Sequence, residues 1–226
     1  VALAAPAGAL TIGDFEGGSL DGWSSSGNVA SRGTVIGIAP TSGTGQLVLQ
    51  TGGAVTSVTS GALDAFFGLS AGTITALSPS GNAAIEGSGV RLVLTGVQPG
   101  DRLTFDFDFV TSEGLGSAGT YRDFAFTTIR SGEEGEVVRD DVLTMTRLAT
   151  TNPAYWQSGW QSISYDFTTG GTITIGFGVV DVQDNAVNSA LFLDNVQWIA
   201  TPEPGPNLLV LVGLAGRAVF GRSRRR

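Results

Sequence analysis

The stretch R-L-T-F-D-F-D-F-V, residues 102–110, decides the fold class of this chain. Large apolar side chains alternate with threonine and aspartate from Leu103 to Phe109. Successive side chains of a β-strand point to opposite faces of its sheet, so this alternation predicts a strand with one buried face and one face in water. Residues 121–129, Y-R-D-F-A-F-T-T-I, repeat the pattern and predict a second strand of the same kind.

Further strand candidates lie on both sides of these two, separated by turns rich in glycine, serine and proline. They are residues 10–15, 34–38, 46–50, 90–95, 160–167, 172–180 and 190–199. Residues 63–69 carry apolar side chains at helical spacing and predict one short helix, whereas the charged, glycine-containing residues 131–141 predict an exposed loop. Closely spaced strands without alternating helices predict an all-β domain, an antiparallel β-sandwich with a jelly-roll-like topology.

Composition limits the chemistry that the chain can perform. Its 226 residues include no cysteine and no histidine, which excludes disulfides, thiol chemistry and the histidine-dependent serine or cysteine catalytic sets. Residues 201–226 contain five arginines and one glutamate, and since the whole chain carries a net charge of −8, residues 1–200 carry −12. A domain this acidic repels phosphate backbones, so we expect no nucleic-acid partner.

The last 26 residues differ from the rest of the chain and have three parts. A proline-rich break is followed by an apolar run over residues 208–220 and then by a basic end. The polar parts contain Pro202, Glu203, Pro204, Arg222, Arg224, Arg225 and Arg226. The run has 13 residues and is interrupted by Arg217, whereas a full membrane span needs about 20. The tail therefore predicts an address for a membrane-bound machine better than it predicts a permanent anchor.

This three-part tail resembles the PEP-CTERM sorting signal of Gram-negative bacteria that produce exopolysaccharide. The resemblance implies that residues 201–226 insert transiently into the membrane as a hydrophobic helix and are recognised by an exosortase, a membrane transpeptidase that cleaves near Pro-Glu-Pro. It also implies delivery to the cell surface or extracellular matrix. Arg217 departs from the uninterrupted run of the family. The alternative, an amphipathic helix packed on the domain, fits less well because residues 208–214 are apolar on every side of a helix and not along one stripe.

The first nine residues, V-A-L-A-A-P-A-G-A, suggest how the chain is exported. Small apolar residues ending in Ala7-Gly8-Ala9 are typical of the end of a signal peptide and its cleavage site. We therefore expect residues 1–9 to be a signal-peptide remnant, residues 10–200 the β-sandwich ectodomain and residues 201–226 the sorting signal. A disordered alanine-rich terminus is the alternative for residues 1–9.

The ectodomain carries two resemblances of its own. Residues 84–198, with a V-x-x-G-D-x-L-x-F-D-F-x-F strand and a final S-x-L-x-L-D-N-V, resemble ectodomains that commonly precede PEP-CTERM signals, and those are generally not known as enzymes. Residues 10–23 resemble the opening of jelly-roll modules of the carbohydrate-binding type. The latter resemblance implies a structural calcium held by Glu16 and Asp194, with Asp14 as a further candidate. Solvent-facing or turn-capping carboxylates are the alternative.

Other acidic and aromatic residues are candidates for binding or catalysis. Glu113 with Asp123, and Asp181 with Asp184, are candidates for calcium, although ordinary solvated loops explain their spacing better. Asp106 and Asp108 share one strand face and invite a comparison with paired glycosidase carboxylates, but polar alternation alone produces the same spacing. The loop aromatics Tyr155 and Trp156 are candidates for stacking on sugar rings. Trp23, Trp160 and Trp198 are expected in the core or at its edge.

The sequence therefore predicts an exported, non-enzymatic surface or matrix protein with a structural or adhesive role in an exopolysaccharide layer. A carbohydrate-binding module with defined glycan specificity is the first alternative, and an enzyme acting on polysaccharide is the second.

Overall fold

The computed structural model describes residues 8–52, 56–113, 121–131, 134–140, 146–147 and 156–201, with the backbone alone for 134–140 and 146–147. The first seven residues, Tyr155 and residues 202–226 lie outside the described residues, so of the predicted sorting signal (201–226) the structure describes Thr201 alone. Within the described part of the chain, no helix is long and apolar enough to cross a membrane.

The described chain is built from strands with two short helices. In chain order the elements are β1 (Ala9–Gly13), a 3-10 turn (Glu16–Gly18), β2 (Ser24–Ser26), β3 (Asn28–Arg32), β4 (Gln46–Gln50), β5 (Val58–Thr59), α1 (Ser60–Phe67), α2 (Thr73–Ala76), β6 (Ala84–Val97), β7 (Arg102–Thr111), β8 (Phe124–Ser131), β9 (Glu134–Asp140), β10 (Thr146–Arg147), β11 (Trp156–Gln157), β12 (Gln161–Asp166), β13 (Gly171–Val182) and β14 (Ser189–Ile199).

The strands form two antiparallel sheets, as the sequence predicts. The eight-stranded sheet has the order β10-β11-β7-β14-β4-β3, with β1 also paired to β14 and β12 to β7. The six-stranded sheet has the order β2-β6-β13-β8-β9, with β5 also paired to β6. Several strands that follow one another in the chain lie in different sheets. The chain crosses between the sheets from β6 to β7, from β7 to β8, from β12 to β13 and from β13 to β14. The jelly-roll-like sandwich follows from these crossings.

The main core lies between the two sheets and is built from the alternation seen in the sequence. Leu103, Phe105, Phe107 and Phe109 of β7 all point into it, and each is at most 4% exposed. From the other sheet, β13 contributes Ile173, Ile175, Phe177 and Val179. The rings of Phe105 and Phe177 meet edge to face with their centroids 4.7 Å apart, which is a favourable aromatic arrangement.

Both sheets are also partly covered on their outer faces. Helix α1 begins at the Thr59 cap, whose hydroxyl accepts a hydrogen bond from Ala62 N, and ends at Gly68, whose φ is +68°. Its buried residue Phe67 packs on Phe126 of the six-stranded sheet, with ring centroids 5.4 Å apart. On the other sheet, Ile38 and Trp160 cover an apolar patch. The other buried members of that patch are Val48, Val110, Ala190 and Phe192.

Two local predictions were wrong. Residues 34–38 do not form a strand, because positive φ angles at Ile36 (46°) and Gly37 (85°) fold them into a tight turn closed by the Val35–Ile38 bridge. Positive φ at both central residues is the geometry of a two-residue hairpin turn. Residues 131–141 are not simply a loop, since Glu134–Asp140 form β9, which pairs with β8 at the edge of the sheet. Charged residues are common on such edge strands.

Candidate functional site

A polar surface forms the outer face of the eight-stranded sheet where β12, β7 and β14 run side by side. Directly paired residues share a sheet face. Ser162 is paired with Asp106, Ser164 with Thr104, and Gln197 also with Thr104. These side chains alternate with the inward-pointing phenylalanines of β7, so they face away from the core. We call the five residues Thr104, Asp106, Ser162, Ser164 and Gln197 the polar face.

Asp106 is the acidic centre of the polar face. Its Oδ1 accepts a hydrogen bond from the Ser162 hydroxyl (2.5 Å), and its Oδ2 accepts from the Thr41 hydroxyl (2.9 Å) and from Nδ2 of Asn195 (3.2 Å). Three donors from three segments therefore hold this carboxylate in place. The arrangement gives the surface a fixed pattern of hydroxyl, amide and carboxylate groups.

Asp108 lies on the same face of β7 and is fully buried. Its Oδ1 accepts a hydrogen bond from the Ser158 hydroxyl (2.9 Å), whereas its Oδ2 has no partner. Burial raises the pKa of Asp108 to about 6, although hydrogen bonds from Ser158 and Gly159 oppose the shift. Because a substrate cannot reach this carboxyl group, Asp106 and Asp108 are not placed to act on the two sides of a glycosidic bond.

Tryptophans stand near the polar face and in the core. The indole of Trp160 is half-buried against the apolar patch, and its Nε1 donates a hydrogen bond to Ala39 O (3.0 Å). Trp156 is half-buried in β11, where it is paired with Thr111. Trp23 is 4% exposed, as expected for a core residue, and its Nε1 donates to Ile12 O (2.8 Å).

The two main calcium candidates, Glu16 and Asp194, each bind one end of the same loop. Glu16 accepts hydrogen bonds from Thr44 N (2.7 Å), the Thr44 hydroxyl (2.7 Å) and Gly45 N (2.9 Å). These bonds, from Gly45 and Thr44 in that order, lower the pKa of Glu16. The buried Asp194 accepts from Ser42 N (2.8 Å), and its Oδ2 shares the single proton of the Thr41 hydroxyl with Asp106 Oδ2, each oxygen lying 2.9 Å from that hydroxyl.

Asp14, the third calcium candidate, accepts a longer bond from Glu16 N (3.3 Å). No group of three or more acidic side chains among the described residues is already arranged around a common metal position. The carboxylates of Glu16 and Asp194 are occupied by loop donors, and calcium binding by these three residues stays a prediction.

A second polar cluster lies inside the sandwich, at the end of the main core where β7 ends and β14 begins. It brings together residues that the sequence leaves in separate groups. Asp123 accepts hydrogen bonds from Val182 N (2.9 Å) and from the Ser189 hydroxyl (2.6 Å). The Ser189 oxygen also lies 2.7 Å from the Thr111 hydroxyl. Thr51 closes the cluster, because its hydroxyl oxygen accepts from Ser189 N (2.9 Å).

Asp181 is the least satisfied member of this cluster. It belongs to β13 rather than to a solvated loop, and it is 1% exposed. Burial raises its pKa, and the nearby charge of Asp123 raises it further. The Thr51 hydroxyl opposes this rise, although no hydrogen bond of normal geometry joins it to Asp181. The sequence contains a signal for this buried position. The alternation of inward and outward residues along β13 continues past Val179 and places residue 181 on the inner face of the sheet.

The main core also contains an apolar cavity of about 190 Å³. Phenylalanines and aliphatic side chains from both sheets dominate its lining, among them Phe105, Phe177, Leu191 and Ile163. A pocket for a sugar needs several convergent polar groups, so this cavity is a packing gap in the core and not a glycan site.

Comparisons with known proteins give this chain no family, because neither a family model nor a curated protein matches it. Similar solved structures include the K1 cleaved adhesin domain of Lys-gingipain from Porphyromonas gingivalis W83, at 14% identity and a TM-score of 0.46, covering 86% of this chain and 99% of that one. A carbohydrate-binding module in complex with β-1,4-galactotriose has 11% identity and a TM-score of 0.42, covering 83% of this chain and 94% of that one.

A family 11 carbohydrate-binding module from Clostridium thermocellum has 13% identity and a TM-score of 0.38, covering 88% of this chain and 99% of that one. At such identities and TM-scores, the ligands of these proteins say nothing about the ligand of this chain.

Proposed function

We propose that this chain is a non-catalytic adhesive module of an extracellular polysaccharide layer. Residues 201–226 deliver it there through an exosortase, and the sandwich then attaches to polysaccharide. The protein acts at the cell surface or in the matrix of a Gram-negative bacterium, after a stage at the membrane. The composition supports a non-catalytic role, since a chain without histidine and cysteine lacks the commonest catalytic bases and nucleophiles.

The observation that carries the attachment is the polar face beside Trp160. Sugar hydroxyls are both donors and acceptors, and Ser162, Ser164 and Gln197 supply matching groups on neighbouring strands. The half-buried indole of Trp160 supplies an apolar edge of the kind on which a sugar ring packs. A rigid sheet presents these groups without the entropy cost of ordering a loop.

Charge selects the kind of polysaccharide. Residues 1–200 carry a net charge of −12, so an anionic polymer is repelled at low ionic strength whereas a neutral one is not. We therefore expect neutral glycans to be retained best.

Affinity electrophoresis of the full chain in gels containing neutral polysaccharides tests this proposal. The triple change Ser162→Ala, Ser164→Ala and Gln197→Ala should restore free mobility in the gel that retards the wild type. A matched control, Thr95→Ala with Thr172→Ala, changes exposed threonines of the six-stranded sheet and should remain retarded. Wild-type retardation in the triple variant would overturn the assignment of the polar face.

Tyr155 and Trp156 remain the alternative attachment point, although Trp156 lies in strand β11 and not in the predicted loop. Their double alanine variant should be run in the same gels, because loss of retardation there and not in the triple variant would move the site to β11 and the residue before it.

The half-exposed Trp160 favours a narrower function, a carbohydrate-binding module with one defined glycan. Retardation by a single polysaccharide out of a panel would support that function, and similar retardation by several would support general adhesion.

The sorting step has a separate test in a host that contains an exosortase. Changing Pro202-Glu203-Pro204 to three alanines should leave an uncleaved, membrane-retained form. Changing the nearby Pro206 and Asn207 to alanine is the control and should leave processing unchanged. Normal processing of the triple-alanine variant would show that the tail is not recognised in this way.

A further inference from the structure

The inner face of the sandwich changes from apolar to polar at one end. Along β13 the inward residues run from Ile173 to Val179 and then reach Asp181, which is paired across the sheet with Glu86 of β6. Inward alternation on the other strands reaches Asp123, just before β8, and Thr111, at the end of β7. Two buried carboxyl groups therefore lie between the sheets, where an apolar core would otherwise continue.

The carboxyl group of Asp181 lacks what a buried charge needs. Both of its oxygens are buried and neither accepts a hydrogen bond of normal geometry, so its polar neighbours are the Thr51 hydroxyl and the carboxyl group of Asp123, which would itself be charged. A buried ionised carboxylate without partners is costly, and such groups normally pair with a cation or bind a metal. The charges of Asp123 and then Glu86 act on Asp181 and raise its pKa in addition to the effect of burial. The ion pair of Arg102 with Asp166 lies at the opposite end of β7.

We propose that Asp181 and Asp123 bind a hard divalent cation, most simply calcium, between the two sheets. Calcium takes six to eight oxygen ligands, and carboxylates, hydroxyls, backbone carbonyls and water all serve. Besides the two carboxylates, the hydroxyl oxygens of Ser189, Thr111 and Thr51 belong to the same cluster, since Ser189 contacts Asp123, Thr111 and Thr51. Two carboxylates balance the charge of one divalent ion.

Further acids surround the mouth of this site. Burial raises the pKa of Glu113, and the charges of Asp123 and Asp184 raise it further. Both Glu113 and Asp184 are partly exposed, so they reach solvent while Asp181 does not. Negative charge at the entrance raises the local concentration of a cation. The site is distinct from the predicted one at Glu16 and Asp194, whose carboxylates bind the loop that contains Thr41 and Thr44.

Thermal unfolding of the full chain in calcium and in EDTA tests the proposal. Calcium should raise the melting temperature of the wild type, because a ligand that binds only the folded state stabilises it. The shift should disappear in Asp181→Asn and persist in Asp194→Asn, which leaves the Asp181 site intact. In EDTA, Asp181→Asn should melt at or above the wild type, since the change removes an unpartnered buried acid and keeps its shape.

Each other outcome overturns the proposal. A wild type that ignores calcium shows that protons alone neutralise the pair. If calcium still raises the melting temperature of Asp181→Asn, the ion binds elsewhere. If calcium raises the melting temperature of neither Asp181→Asn nor Asp194→Asn, the loss reflects a general destabilisation of the fold and not the removal of a ligand. Failure of Asp181→Asn to fold in EDTA also overturns it, because the metal-free chain should tolerate the neutral side chain. None of these results depends on glycan binding.

Discussion

Asp194 accepts a hydrogen bond of 2.8 Å from the backbone N–H of Ser42, which lies 152 residues earlier in the chain. The neighbouring Thr41 hydroxyl lies 2.9 Å from the same carboxylate oxygen. Through these contacts the central strand β14 fixes the segment that follows the Val35–Ile38 turn. This segment in turn places Ile38 over the apolar patch on the outer face of the sheet. A buried carboxylate thus determines where a surface loop lies.

The first prediction concerns this contact. Asp194→Asn should lower the free energy of unfolding by about 1–3 kcal/mol, because hydrogen bonds to a charged acceptor are lost or weakened in a buried position. Urea denaturation measured in EDTA checks the value without any contribution from a metal. Asp14→Asn is the matched control and should change stability much less, since Asp14 accepts only one long bond. Equal effects of the two changes would contradict this role for Asp194.

The second prediction concerns pH and Asp108. Burial raises the pKa of Asp108 to about 6 from an ordinary value of 3.8, so the folded state holds its proton to higher pH than the unfolded state. The stability contribution of the protonated form is complete below pH 3.8 and is lost as the pH rises to about 6. A shift of this size corresponds to about 3 kcal/mol.

Asp108→Asn should remove this dependence. The difference in unfolding free energy between the variant and the wild type should therefore grow in favour of the variant as the pH rises through this range. Urea denaturation at several pH values measures it. The exposed change Asp166→Asn is the control and should show no such growth, because the pKa of Asp166 is lowered by its Arg102 partner. A difference independent of pH would contradict an elevated pKa for Asp108.

The third prediction concerns the packing of α1 on the six-stranded sheet. A Cβ atom at Gly176 would lie 2.6 Å from the ring of Phe67 and 2.6 Å from the Thr128 hydroxyl. Gly176→Ala should therefore destabilise the fold by about 1–3 kcal/mol, as overpacking does. Gly61 lies in α1 and has open space around it, so Gly61→Ala should raise the free energy of unfolding by up to about 1 kcal/mol. Thermal unfolding of both variants is the measurement, and changes of the same sign would contradict the contact.

The fourth prediction concerns Asp101, which fixes the C-terminal end of the described fold. Burial alone would raise its pKa, but hydrogen bonds from Gln98 N, Thr201 N, the Thr201 hydroxyl and Trp198 Nε1 lower it. Asp101→Asn should lower the free energy of unfolding by about 1–3 kcal/mol. Because the folded pKa is depressed, this contribution is present above pH 3.8 and is lost as the pH falls through the lower folded value.

Limited proteolysis and tryptophan fluorescence check the local effect of Asp101→Asn. Cleavage near Thr201 should become faster, and the fluorescence of Trp198 should change. In Asp64→Asn, where the carboxylate instead binds Gly72 N and Ile74 N of the α2 turn, cleavage near Thr201 should stay slow. If proteolysis at residue 201 is equally slow in both variants, the contact does not hold this end of the chain.

The sequence predicts most of the fold because alternation depends only on which side chains enter the core. The pattern from Leu103 to Phe109 specifies both the strand and its inner face, and the structure confirms both. The helix predicted for residues 63–69 is confirmed as Ser60–Phe67, beginning three residues earlier than expected because Thr59 caps it. The cap sits outside the apolar pattern that located the helix.

Other features depend on contacts that no local pattern contains. Residues 34–38 contain three apolar β-branched residues, as in a strand, but Gly37 permits a tight turn, and Ile38 is buried on a sheet formed mostly by later residues. Asp123 and Asp181 lie far apart in sequence and meet only because β8 and β13 are neighbours. Local spacing therefore suggested two ordinary loops where the fold forms one buried cluster.

The position of β14 has a mechanical consequence. This strand lies between β7 and β4, pairs also with β1, and ends at Ile199, two residues before Thr201. Tension applied to the chain beyond Thr201 therefore enters the domain along its central strand. The hydrogen bonds of antiparallel strands run perpendicular to the strand axis, so such a pull loads many of them together in shear. A sandwich tethered through its C-terminal end carries the load on a strand that pairs with three others.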